Sequence, residues 1–129
     1  MILIDTHIFV DLIFAQPLRF ANEYSPGVVG VSAVTAAELG CLQRLGRLRL
    51  DLPADEWFAE ATAAGGIAVH AVSAGHLARA MLPEWSHRDP ADRIIVQHLR
   101  ERSDLELHTR DTTIIAYGNE NGLRVRDCR

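Results

Sequence analysis

The sequence contains no lysine, and all 13 of its basic residues are arginine. Any mechanism that needs a lysine is therefore excluded, including the phosphate-binding loop that ends in Gly-Lys. Cysteine is also scarce, since Cys41 and Cys128 match neither the spacing of a metal site nor a disulfide framework. We expect a buried thiol at Cys41, a loosely held thiol at Cys128, and a cytoplasmic location in which thiols stay reduced.

Long apolar runs and a broad positive charge are the other features that the chain lacks. It has 129 residues, 48% of them hydrophobic, yet no apolar stretch approaches the ~20 residues of a membrane-spanning helix. Its first apolar run, residues 1–4, lacks the basic flank and the cleavage site of a signal peptide. The net charge of −4 disfavours a protein that coats nucleic acid through a wide basic surface. The length predicts one domain, residues 1–129, with a sizeable core.

Segments typical of strands alternate along the chain with segments typical of helices. Short apolar runs predict strands at residues 2–5, 28–32, 67–72, 105–109 and 123–127. Apolar residues at helical spacing predict helices at residues 6–14, 17–24, 33–48, 54–66, 73–82, 89–102 and 111–118. Thr6, Ser32 and Asp89 are the predicted N-caps. This alternation predicts an α/β fold with a parallel sheet of four to five strands, covered by helices on both faces.

Acidic residues follow two of the predicted strands. Asp5 ends the first strand, and Asp111 lies just past the end of the fourth. Because the ligand crevice of an open parallel sheet lies at the carboxyl ends of its strands, we expect both acids at the same edge of the sheet. Asp111 also opens the last predicted helix, so a purely structural role as its N-cap is an alternative.

Three further acids lie on predicted helices. Glu38 falls on the apolar stripe of its helix, between Val34 and Cys41, where a carboxylate needs a partner. A position at the margin of the stripe, or an ion pair with an arginine, is the alternative. Asp89 and Asp92, in the segment RDPADR, fit the first turn of a helix as well as they fit catalysis. Acids gathered at one edge repel one another, and a divalent cation such as Mg²⁺ with oxygen ligands is the usual remedy.

Four segments of the chain together resemble the successive motifs of the PIN domain. They are LIDTHIFVD, VSAVTAAELG, HRDPADRIIVQHL and LHTRDTTIIAYG, and they span nearly the whole sequence. The resemblance is strongest to the toxin ribonucleases of VapBC-type toxin–antitoxin systems. It implies a three-layer α/β/α fold, Mg²⁺- or Mn²⁺-dependent cleavage of RNA (with tRNA as one candidate), a homodimer, and neutralisation by a small antitoxin that also binds DNA. One departure is Ala91, where the family usually has an aromatic residue.

The same resemblance implies roles for individual residues. The acidic quartet, which carries catalysis and holds the metal, corresponds to Asp5, Glu38, Asp92 and Asp111. The polar accessory positions correspond to Thr6 and Thr109, and Asp89 joins them as an accessory acid. Asp5 and Asp92 are expected to be the principal ligands, and a metal-activated water would attack the RNA phosphodiester. The arginines that flank these acids are candidates for RNA contact: Arg88, Arg93 and Arg110.

Other patterns in the sequence are weaker. The six histidines lack the spacing of a zinc site, no G-x-S-x-G segment marks a nucleophilic serine, and His7 stands where a dehalogenase-like phosphatase has its second aspartate. His87 is interpreted as a solvated loop residue, with RNA contact as the alternative. The arginines near residue 47 are interpreted as favourable charges at a helix C-terminus, namely Arg44, Arg47 and Arg49. The alternative function is a catalytically silent PIN-like module that binds RNA or protein.

Overall fold

Five parallel strands form one central sheet in the computed structural model, which describes residues 1–87 and 89–129. They are β1 (Ile2–Ile4), β2 (Val29–Ser32), β3 (Ala68–His70), β4 (Glu106–Thr109) and β5 (Val125–Asp127). Their order across the sheet is β3-β2-β1-β4-β5, so β1 lies at the centre. Leu3 is opposite Gly30 on one side and Leu107 on the other. All strands therefore end at the same edge, which is where the sequence predicts a site.

Six helices in the described part of the chain alternate with the strands. They are α1 (Thr6–Ile13), α2 (Val34–Arg44), α3 (Ala54–Gly65), α4 (Ala74–Ala80), α5 (Pro90–Glu101) and α6 (Thr112–Glu120). The predicted α/β fold, with a parallel sheet between two layers of helices, is confirmed. No helix in these described ranges is long and apolar enough to cross a bilayer.

The two faces of the sheet carry separate apolar cores, because neighbouring residues of a strand point to opposite faces. In β1, Ile4 packs in one core with Phe9 and Trp57, whereas Leu3 packs in the other. The first core lies under α1, α2 and α3, and the second contains residues of α5 and α6 such as Ile95. Leu3 and Ile4 are fully buried, so the central strand is rigidly held, and the residue that follows it has a fixed position.

Helix boundaries differ from the predictions in several places. The N-cap of α1 is Asp5, not Thr6, because the Asp5 carboxylate accepts a hydrogen bond from the Ile8 N–H at 3.0 Å. The predicted helix at residues 17–24 is wrong except for a short 3₁₀ turn, Ala21–Glu23. Ala33 takes the N-cap position of α2, although Ser32 Oγ still accepts a hydrogen bond from the backbone N–H of Val34.

Both predictions for the cysteines are wrong, and so is the predicted apolar stripe of α2. Cys41 is exposed and Cys128 is buried. Leu45, which was expected to continue the stripe beyond Cys41, is 54% exposed, while Thr35 and Leu39 are the buried residues of α2. The buried face of α2 is thus rotated relative to the one that the spacing of apolar residues suggested.

Candidate active site

An acidic cleft of about 560 Å³ opens at the edge of the sheet where the strands end. Each predicted acid lies on its wall, although the acids come from four separate segments of the chain. They are Asp5, Glu38, Asp89, Asp92 and Asp111. Asp5 directly follows β1, Glu38 lies on α2, and the others lie at or near the N-termini of α5 and α6. The topology of the sheet therefore brings distant parts of the sequence to one pocket.

Asp5 is the most deeply placed of these acids, with only 6% of its surface exposed. Besides its bond to the Ile8 N–H, it accepts a short hydrogen bond from the hydroxyl of Thr109, at the end of β4. Thr109 Oγ1 in turn accepts the backbone N–H of Asp111 at 3.0 Å. Burial raises the pKa of the Asp5 carboxyl above its ordinary value. Thr109 thus ties together the ends of two neighbouring strands and fixes the direction of Asp5.

Glu38 faces the cleft, and the apolar-stripe argument for its position is wrong. Thr6 donates its hydroxyl hydrogen to Glu38 Oε1 at 2.5 Å, and Thr6 Oγ1 also lies 2.9 Å from the hydroxyl oxygen of Thr35. Burial raises the pKa of Glu38 to about 7, and repulsion from Asp92 and the other acids adds to the rise. Glu38 is therefore a partly buried carboxylate that is held by a threonine and not by an arginine.

Asp89 and Asp92 differ in the way they are held. Asp89 is exposed and caps α5 by accepting the Ala91 N–H at 2.9 Å. Asp92 Oδ2 accepts a hydrogen bond from His87 Nε2 at 2.5 Å, and its side chain is only 14% exposed. Burial raises the pKa of Asp92 to about 6, with further repulsion from Asp89 and Asp111. The predicted N-cap at Asp89 is confirmed, whereas Asp92 is held by His87.

Asp111 caps α6, and it faces the cleft as well. Its Oδ1 accepts the backbone N–H of Thr113 at 2.8 Å and that of Ile114 at 3.0 Å. The alternative role of Asp111, as the N-cap of the last helix, is therefore confirmed. It does not exclude a second role, because Asp111 also lines the cleft.

Among the residues that the structure describes, two groups of three side chains bring potential ligand atoms within 4.8 Å of one another. One group is Glu38, Asp89 and Asp92, and the other is His87, Asp92 and Asp111. Asp92 belongs to both. Carboxylate oxygens are the ligands that Mg²⁺ and Mn²⁺ prefer. Burial and repulsion from neighbouring acids raise the pKa values of Glu38 and Asp92, so a cation beside them would stabilise their charged forms. The donor set therefore fits a hard divalent cation.

His87 is the site residue that the sequence argument undervalued. The loop that carries it is anchored at two points in the structure. Trp85 stacks on Tyr117 of α6, with ring centroids 4.2 Å apart. Arg93 donates hydrogen bonds to the backbone carbonyls of Pro83, Trp85 and His87. The only signal in the sequence was the position of His87 directly before the acidic segment, which is too little to predict a contact with Asp92.

The three arginines that were candidates for RNA contact fall into different classes. Arg88 lies outside the described residues. Arg93 holds the loop of His87, so its guanidinium serves the structure of the site. Arg110 lines the cleft and forms a short ion pair with Asp11 of α1. Arg47, for which the sequence suggested only a helix-terminal role, also lines the cleft.

Comparisons with known proteins concern the family and the fold of the chain. The family model described as PIN domain matches residues 2–120. Among solved structures, the chain is similar to a toxin-antitoxin complex from Klebsiella pneumoniae, with 23% sequence identity, a TM-score of 0.58, and coverage of 90% of this chain and 91% of that chain. A comparison with curated proteins found no match.

Proposed function

The chain belongs to the PIN-domain family, and on that premise we propose that it is a Mg²⁺- or Mn²⁺-dependent endoribonuclease of the VapC type. In this proposal it is the toxin of a type II toxin–antitoxin pair. The observation that carries the proposal is the cleft in which acids from four segments of the chain converge. Asp92 belongs to both groups of potential ligand atoms in this cleft. PIN domains are generally nucleases, and such a cleft suits cleavage of a phosphodiester.

The acids are proposed to hold one or two divalent cations. Asp92 is the central ligand, with Glu38, Asp89 and Asp111 around it, because each lies in a group with Asp92. Asp5 lines the same cleft but belongs to neither group, and it is proposed as a catalytic residue and a further ligand. When bound, the cation supplies positive charge that activates a water molecule and stabilises the charge that develops on the phosphate.

The remaining side chains of the site are proposed to orient these carboxylates. Thr109 and the Ile8 N–H fix both oxygens of Asp5, so this carboxylate cannot rotate freely. Thr6 does the same for one oxygen of Glu38, and His87 for one oxygen of Asp92. Each hydrogen bond fixes the orientation of its carboxylate before a cation binds. This pre-orientation lowers the entropic cost of cation binding.

The proposed partners follow from the family and from the similar complex. The toxin-antitoxin complex from Klebsiella pneumoniae supports a cognate antitoxin as partner. RNA, with tRNA as one candidate, is the proposed substrate, and a homodimer is the proposed assembly. Any contact with DNA would be indirect, through the antitoxin.

The proposal is tested by incubating the purified chain with unstructured single-stranded RNA in Mg²⁺, in Mn²⁺ and in EDTA. We expect cleavage with either cation and none in EDTA. Glu38→Gln should lower the rate at least ~100-fold, since even residues that only orient a metal ligand contribute 10- to 100-fold. Glu60→Gln is the matched control, because Glu60 is exposed on α3 and should leave the rate unchanged. If the wild type with either cation binds RNA but cuts none, the silent binding module is the correct function.

A further inference from the structure

Arg47 lies on the wall of the acidic cleft, in the connection between α2 and α3. We infer that Arg47 binds the phosphodiester backbone of an RNA strand seated in the cleft, an inference that rests on the proposed ribonuclease function. A cleft lined by six carboxylates repels a polyanion wherever a bound cation does not neutralise them, so a positively charged side chain at its wall would favour binding of a substrate strand. The guanidinium group of arginine matches the geometry of a phosphate with two parallel hydrogen bonds.

The contacts of Arg110 and Arg93 favour Arg47 as the residue that binds phosphate. Arg110, which lines the same cleft, is neutralised by its ion pair with Asp11, and Arg93 is bound to loop carbonyls. Within residues 1–87 and 89–129, the guanidinium of Arg47 makes no ion pair. Its charge is therefore available to a phosphate without first breaking a bond to a carboxylate, which favours Arg47 over Arg110 as the contact.

The end of α2 places Arg47 at the cleft through a Schellman motif. After the C-cap at Leu45, Gly46 adopts the left-handed conformation, with φ of +70°, and its N–H bonds to the Gln43 carbonyl at 3.1 Å. The Arg47 N–H then bonds to the Leu42 carbonyl at 2.9 Å. In this motif the second residue after the cap packs beside the residue three positions inside the helix end. Leu42 and Arg47 occupy these two positions, and both line the cleft.

The far end of this connection is also fixed, so Arg47 does not lie on a loose loop. The Gln43 side chain donates to the Leu52 carbonyl at 2.9 Å and accepts the Ala54 N–H at 3.0 Å. One side chain thereby joins the last turn of α2 to the first residue of α3. A binding residue on such a braced turn loses less conformational entropy when it contacts a ligand.

The helix-terminal role suggested by the sequence fits Arg44 better than Arg47. Arg44 lies in the last turn of α2, where a positive charge favours the helix dipole. Arg47 lies beyond the cap. The left-handed turn at Gly46, which has no counterpart in the sequence prediction, precedes Arg47 and leaves it on the wall of the cleft.

The inference is tested by measuring the affinity for a fluorescein-labelled single-stranded RNA dodecamer, by fluorescence anisotropy, in the inactive Glu38→Gln background with Mg²⁺ present. Arg47→Ala should raise Kd about tenfold, as expected for loss of a hydrogen bond to a charged group. The slope of log K against log salt concentration should shrink by about 0.7, the value for one phosphate contact on a single strand. Arg47→Lys should recover part of the affinity. In the active enzyme, Arg47→Ala should raise KM and leave kcat within about twofold.

Arg49→Ala is the matched control, since Arg49 is an exposed arginine of the same connection that does not line the cleft. It should change Kd by less than about twofold, because screening weakens the effect of distant surface charges. Equal effects of Arg47→Ala and Arg49→Ala, or no effect of either, would overturn the inference while RNA cleavage by the wild type left the proposed function standing. A wild type that neither binds nor cleaves RNA would overturn both. Circular dichroism must show the same unfolding temperature for both alanine variants.

Discussion

Glu38→Gln is expected to make the cation-free protein more stable at pH 8 than the wild type. The pKa of Glu38 is raised from 4.5 to about 7 in the folded chain, because burial and neighbouring acids penalise its charged form. At pH 8 the folded protein therefore keeps the Glu38 carboxylate ionised in a partly buried position near other acids, which lowers its stability. Glutamine keeps an oxygen that can accept the hydrogen bond from Thr6, but it carries no charge.

The sign of the pH dependence follows from linkage between protonation and folding. A carboxyl group whose pKa is higher in the folded state lowers stability above its folded pKa, and this cost disappears as the pH falls toward the unfolded pKa. For Glu38 the window runs from about pH 7 down to 4.5. A difference of one in pKa corresponds to about 1.4 kcal/mol, so the rise from 4.5 to about 7 corresponds to about 3 kcal/mol. Solvent in the open cleft screens part of this, which leaves about 2 kcal/mol.

Urea unfolding in EDTA at pH 8 and pH 5 measures this difference. We expect Glu38→Gln to exceed the wild type by about 2 kcal/mol in unfolding free energy at pH 8, and by far less at pH 5. Glu60→Gln, on the exposed face of α3, should match the wild type within about 0.5 kcal/mol at both pH values. Adding Mg²⁺ should stabilise the wild type more than the variant. A Glu38→Gln variant that is less stable at pH 8, or whose advantage is the same at both pH values, would show that the charge of Glu38 does not destabilise the folded chain.

Three other outcomes check the packing and the loop of the site. Gly118→Ala should lower the unfolding free energy by about 2 kcal/mol in thermal denaturation, because the added methyl group would lie 2.4 Å from a methyl carbon of Val125. Arg93→Ala should lower stability by about 2 kcal/mol and speed proteolysis of the preceding loop, since it removes three hydrogen bonds to that loop. Cys41 should react with an aromatic disulfide reagent within seconds, and Cys128 only on unfolding, the order expected from their exposure. An unchanged melting temperature, an equally resistant loop, or two thiols of equal reactivity would contradict these predictions in turn.

The fold was predictable because its signals are strong and local. Short apolar runs alternate with helical segments, and the capping residues Asp89 and Asp111 lie at the starts of their helices. The gathering of Asp5 and Asp111 at one edge followed from parallel topology alone. This prediction needed no knowledge of side-chain contacts, because parallel strands of one sheet end at the same edge whatever the path of the chain between them.

The wrong predictions concern features that depend on tertiary packing and not on the local sequence pattern. On α2 the apolar spacing suggested a buried Cys41, but the helix turns Thr35 and Leu39 to the core and leaves Cys41 in solvent. Thr6 has good capping chemistry, yet the acid before it takes the cap because the strand ends one residue earlier.

Contacts across the cleft were equally out of reach of sequence patterns. His87 is bound to Asp92 by a loop whose position depends on Arg93 and on stacking of Trp85 against Tyr117. No spacing rule relates these residues, because a loop conformation is set by the contacts that hold its backbone.

Anomalous diffraction from crystals grown with Mn²⁺ shows whether the acids of the cleft hold a divalent cation. We expect an anomalous peak in contact with carboxylate oxygens of Asp92 and of Glu38 or Asp111, and no such peak in Asp92→Asn crystals. A wild-type cleft without a peak, with its carboxylates instead paired to arginine side chains, would contradict this expectation.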